Sequence, residues 1–172
     1  MSNILKTACF LFIALFIIAS CARKKSATQA EQIEWMSYEE AVEASKRKPK
    51  KIFVDVYTSW CGWCKAMDKK VLTDPQIVSD INEHYYAVKL NAESTKKVIY
   101  KGKTMTEQQL AQKVFNATGY PTTVYLDSKE NVISPVPGYL EADVLHQVLL
   151  FFGEDHYKNT TFEKYQSQFE LE

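Results

Sequence analysis

The chain has 172 residues, 46% apolar and 13% aromatic, with 21 basic residues against 21 acidic ones and a formal net charge of zero. That content of apolar and aromatic side chains excludes disorder over most of the length and suits a single domain of about 150 residues. The charge balance leaves no overall field of the kind that draws nucleic acid or acidic substrates.

Lys6 precedes an apolar run from Ala8 to Ala19. Crossing a bilayer takes about 20 such residues, so this run is too short to span comfortably. With its basic flank and small terminal residues it reads as a signal peptide over residues 1–20. It closes on Ile18-Ala19-Ser20-Cys21, which resembles a bacterial lipobox, where cleavage leaves the cysteine as a lipidated N-terminus. Cys21 is therefore the expected lipid anchor, and the cell envelope, on the periplasmic side of a bacterial membrane, the expected location. A signal-anchor helix, or plain cleavage beside an incidental Cys21, is the other reading. Residues 21–34 suit a flexible tether, with Arg23-Lys24-Lys25 either solvated or drawn to anionic headgroups.

The folded domain is expected over residues 35–153. Ser37 with Glu40 forms a capping box, which predicts a helix over 38–47 stopped before Pro49. The β-branched and aromatic stretch 51–57 predicts a strand. Helix formers resume over 62–72, so Cys61 and Cys64 fall at a strand-to-helix junction. Asp74-Pro75 opens a short helix to about 82, and 85–90 is the next strand. A lysine-rich insertion leads to Thr106, whose Gln109 partner predicts a capped helix to about Asn116. Residues 122–127 and 132–136 predict two antiparallel strands around the turn "DSKEN", and 141–152 a helix ending at Gly153. With 62–72 and the short helix to about 82 taken as one helical stretch, the order helix-strand-helix-strand-helix-strand-strand-helix implies an α/β domain, a mixed sheet with helices on both faces. Residues 154–172 are expected as a C-terminal extension in which "TTFEKYQSQF" forms an added helix that packs Phe162, Tyr165 and Phe169 on the domain.

Cys9 lies in the segment that would be cleaved and Cys21 would carry lipid, which leaves Cys61 and Cys64. A bridge across two residues closes too small a loop to stabilise a fold much. The pair therefore reads as chemistry. A zinc site needs about four ligands, and there is no second CxxC, nor do His84, His146 and His156 show ligand spacing with the pair. Covalent haem attachment wants a histidine directly after CxxC, where Lys65 stands. No nucleophile elbow and no phosphate loop is present. Neither metal nor cofactor is expected.

"VDVYTSWCGWCK", then "AVKLN", then "GYPTTVYLD" and Gly138 together resemble the thioredoxin family over about residues 35–152. The resemblance implies the thioredoxin fold and a thiol-disulfide oxidoreductase acting on client disulfides. It further implies that Cys61, at a helix N-terminus, is the exposed attacking thiol, its anion stabilised by free amides and the helix dipole, and that Cys64 resolves the mixed disulfide. Asp55, six residues before Cys61, matches the family's buried acid, and Lys89 its partner lysine. In the plainer reading both point outward from half-exposed strand faces. Tyr120-Pro121 matches the family's cis-proline, where an extended client peptide adds as a strand. Trp60, Gly62 and Trp63 complete the expected client surface, although Gly-Trp stands where many relatives carry Gly-Pro, which leaves the potential and direction of exchange open. Lys65 either supports the thiolate by charge or is solvated. A reducing or isomerising role implies a membrane thiol donor as a second partner. The alternative function is a redox-responsive client-binding module that does not turn over.

Overall fold

A computed structural model describes residues 32–169. The expected signal peptide, the Cys21 anchor and most of the tether lie outside the described residues. In chain order the first elements are the short strand β1, Trp35–Met36, and the Ser37 cap, whose side chain accepts from the Glu40 N–H while Glu40 accepts from the Ser37 N–H at 2.8 Å. These two bonds satisfy amides that an open helix end leaves free, and α1 runs Tyr38–Arg47. β2, Lys51–Tyr57, is followed by α2, Gly62–Lys70, and α3, Pro75–His84, whose Asp74 cap accepts from the Gln76 and Ile77 amides. β3 is Tyr85–Asn91, β4 Lys97–Tyr100, β5 Lys103–Thr106, β6 Thr122–Leu126 and β7 Val132–Pro137. α4, Glu107–Gln109, carries the predicted capping box but widens at once into a π-helical turn, Leu110–Val114. The N–H of Phe115 reaches the Leu110 carbonyl, and Asn116 ends the segment in the left-handed region. α5 is Ala142–Gly153.

Five strands form one mixed sheet in the order β1-β3-β2-β6-β7, with β2 parallel to β3 and antiparallel to β6. β2 is central, and Ile52 to Val56 are all buried. Period-2 alternation sends its side chains to two cores. Phe53, Ala87 and Tyr125 pack with Met67, Ile77, Ile81 and Leu149 from α2, α3 and α5. Val54, Val56, Val88 and Val124 pack on the other face with Tyr38 and Val42 from α1 and with Leu110 and Phe115. Each Val, Leu, Ile, Phe or Met among them contributes roughly 1.5–3 kcal/mol on burial.

Two features differ from the sequence expectations. The expected tether reaches residue 34, yet Ile33 is 7% exposed and belongs to the core, and Asn82 ties down Gln32 and Glu34 by hydrogen bonds of 2.9 and 3.3 Å. The lysine-rich insertion contains a β4–β5 hairpin turning at Lys101-Gly102, both at positive φ. Over 154–169 the chain makes a 3₁₀ turn, His156–Lys158, and a short α6, Phe162–Gln166, inside the stretch expected as an added helix; Tyr165 is buried and, with Phe162, lies 5.4 Å from the Phe151 ring.

Candidate active site

β2 ends at Tyr57, and Thr58, Ser59 and Trp60 turn the chain into α2. Cys61 is the N-cap of α2, with its Sγ accepting from the Cys64 N–H at 3.0 Å. Polar atoms at this position normally satisfy a free amide of the first turn, so the sulfur takes the place of a capping oxygen. The two cysteines form a disulfide with Cα atoms 5.3 Å apart. The exposed attacker expected at Cys61 needs correction for this oxidised state: Cys61 is 4% exposed and Cys64 3%. Capping turns the Cys61 sulfur back onto its own helix, while the rings beside it project outward, Trp60 at 67% and Trp63 at 65%.

Trp60 meets Tyr120 edge-on at 6.1 Å, and Trp63 meets Tyr139 at 5.3 Å. The Tyr120–Pro121 bond is cis, and the Pro121 carbonyl accepts from the Gly138 N–H at 2.8 Å. Trp63, Tyr120, Pro121, Gly138 and Tyr139 thus line one open groove of about 420 Å³. Among the described residues none of those lining it is charged. Gly62 is exposed and a Cβ there would meet nothing, so packing does not demand a glycine. Lys65 is exposed as well.

Asp55 and Lys89 are cross-strand partners on β2 and β3. They do not point outward: Asp55 is 2% exposed, and its Oδ2 accepts from the Lys89 Nζ at 2.6 Å. Asp55 Oδ1 is buried with no hydrogen-bond partner among the described residues. Burial pushes the Asp55 carboxyl above its ordinary value, against the opposing charge and hydrogen bond of Lys89. For Lys89 burial works against the ammonium, but the charge of Asp55 and the hydrogen bonds to both acids outweigh it and raise its value.

The second of those acids, Asp68, escaped the sequence reading. It also accepts from the Lys89 Nζ, so an acid-lysine-acid chain runs from the half-exposed α2 surface into the sheet. Its signal was present: Asp68 follows Cys64 by four residues and shares its helix face. Glu93 was missed too. Its Oε2 accepts from the Ser59 N–H and hydroxyl at 3.1 and 3.0 Å, and its Oε1 from the Trp60 indole N–H at 2.9 Å. Nothing local marks it in "AVKLNAES", because its partners lie more than thirty residues earlier.

Residues 38–153 match the family model described as a thioredoxin-like domain. Among curated proteins the chain is 28% identical over 127 residues to a thiol:disulfide interchange protein DsbD of Haemophilus influenzae, covering 72% of this chain and 20% of that protein. It therefore spans about a fifth of that relative's length. It is 24% identical over 136 residues to the disulfide bond reductase DsbH of Chlamydia pneumoniae, covering 73% of this chain and 81% of the relative. Among solved structures, a thioredoxin-fold protein from Helicobacter pylori superposes with a TM-score of 0.62 at 22% identity, over 80% of this chain and 90% of that one, a likeness of fold.

Proposed function

Because the chain belongs to the thioredoxin-like domain family, we propose that it is an extracytoplasmic thiol-disulfide oxidoreductase that reduces or isomerises client disulfides through Cys61 and Cys64. The observation that carries this reading is the disulfide itself, with the Cys61 sulfur at the mouth of α2 accepting a backbone amide. A thiolate at that place gains from the same amide and from the helix dipole.

In the reduced protein the Cys61 thiolate attacks one sulfur of a client disulfide. A Cys61–client disulfide forms and the other client sulfur leaves as a thiolate that takes up a proton. Asp55 accepts the Cys64 proton, since burial makes its carboxylate a better base than an exposed one. The Cys64 thiolate then attacks the Cys61 sulfur, the Cys61–Cys64 bond closes, and the second client thiolate leaves with the proton that Asp55 held. Two electrons pass from the pair to the client. The neutral groove beside the pair, with Tyr120-Pro121 and Trp63 on its walls, receives the extended client segment.

Continued turnover needs a thiol donor, and a membrane-embedded one fits an envelope protein anchored through Cys21. That location draws its support from the apolar run before Cys21, and the exchange chemistry from the names of the relatives, a thiol:disulfide interchange protein and a disulfide bond reductase. Reduction of insulin disulfides with dithiothreitol as donor tests the reading. Catalytic turnover lost in Cys61→Ser is the expected result, whereas stoichiometric oxidation without turnover would make the pair a redox-responsive binding switch.

A further inference from the structure

Trp35 lies upstream of the family match, which begins at residue 38. It pairs with Ala87 across β1 and β3, and Lys89 is two residues beyond Ala87, so ring and ammonium share one face of the sheet. The Lys89 Nζ is 5.1 Å from the centre of the Trp35 ring and 5.3 Å from that of Tyr57. Both lie within the roughly 6 Å over which an aromatic face attracts a cation. The Trp35 ring also contacts Phe53 at 6.4 Å, and the bonds of Gln32 and Glu34 to Asn82 fix the segment before it.

We infer that Trp35 is a positioning residue for thiol-disulfide exchange: with Tyr57 it holds the Lys89 ammonium between Asp55 and Asp68 and keeps water from it. The inference rests on the proton-accepting role of Asp55 proposed above. The groups facing Lys89 are Asp55 and Tyr57 from β2, Asp68 from α2 and Trp35 from β1. The Tyr125 hydroxyl of β6 in turn feels the Asp55 charge. Without the Trp35 ring the ammonium hydrates and moves toward Asp68, whose side chain is 40% exposed. Asp55 stays buried with a weaker counter-charge. Less of it is then carboxylate at a given pH, and release of the mixed disulfide requires more alkaline solution.

The test is single-turnover release of a chromogenic peptide from its disulfide with Cys61, followed from pH 5 to 9 in the full chain. Wild type, Trp35→Phe, Trp35→Leu and Asp55→Asn are compared, with the Asp55 carboxyl titration read by NMR in the same reduced proteins. Trp35→Leu should move the acidic limb of release and the Asp55 midpoint up by roughly half a pH unit, about threefold in rate on the limb. Trp35→Phe keeps an aromatic face and should follow wild type, as should mixed-disulfide formation in both variants. A limb and midpoint unmoved by Trp35→Leu, or moved equally by Trp35→Phe, overturn the inference. A limb that persists in Asp55→Asn removes the Asp55 role and this inference with it, whereas a limb lost in Asp55→Asn but unmoved in Trp35→Leu overturns the Trp35 role alone.

Discussion

Replacing Asp55 by Asn keeps the shape of a side chain that is 2% exposed and removes its ability to accept a proton. General-base assistance contributes about 10²–10⁴-fold. Lys89, 2.6 Å from Oδ2, lowers the basicity that burial would otherwise confer, which places Asp55 at the lower end of that range. Release of the mixed disulfide should slow about 100-fold, or about 2.7 kcal/mol of barrier, while its formation by Cys61 stays nearly unchanged. Stopped-flow measurement of the two phases with one peptide disulfide separates them. Equal slowing of both phases would refute the assignment of Asp55 to the Cys64 proton. The same variant has a stability signature. Burial raises the folded-state value of Asp55, so below the unfolded value both states are protonated and the group costs nothing. As pH rises through the unfolded value, the unfolded chain ionises first and stability falls until the folded carboxyl ionises too. Asp55→Asn should lack that decline, and denaturant unfolding from acid to neutral pH measures it.

Asp68 adds negative charge beside Asp55 and competes for Lys89, so Asp68→Asn should strengthen the Asp55–Lys89 pair and move the acidic limb of release to lower pH; a shift to higher pH would contradict the arrangement. Glu93→Ala frees the Trp60 indole from its carboxylate and should change Trp60 fluorescence and raise KM for protein clients a few-fold, with no change in the reaction of Cys61 with a small thiol reagent; an unchanged KM would leave Glu93 without a part in client binding. Ile33→Ala should lower the unfolding free energy by about 2 kcal/mol, since Ile33 lies in the core; a loss under about 0.5 kcal/mol would return it to the tether.

The elements around the site could be read because local signals agreed with the tertiary result. Ser37 with Glu40, Asp74-Pro75 and the apolar run 51–57 each specify their element without help from distant chain. The β4–β5 hairpin escaped because its turn is Lys-Gly, where Asn-Gly or Asp-Gly is the usual signal for two positive φ values. Ile33 escaped because a lone apolar residue in a polar stretch carries no period. At the site, spacing and likeness placed Asp55 and Lys89, but not that Lys89 bridges two acids under two aromatic rings, which depends on the β1–β3 and β2–β3 registers. The burial of Cys61 likewise depends on where the capping sulfur points.

The central claim is that the Cys61 sulfur, once reduced, stands as a reactive anion at the start of α2. Alkylation of Cys64→Ser by iodoacetamide, followed from pH 4 to 10, tests it most directly. A midpoint at least one unit below the ordinary thiol value of about 8.5 is the result expected. A midpoint at or above that value, with slow modification throughout, would contradict it.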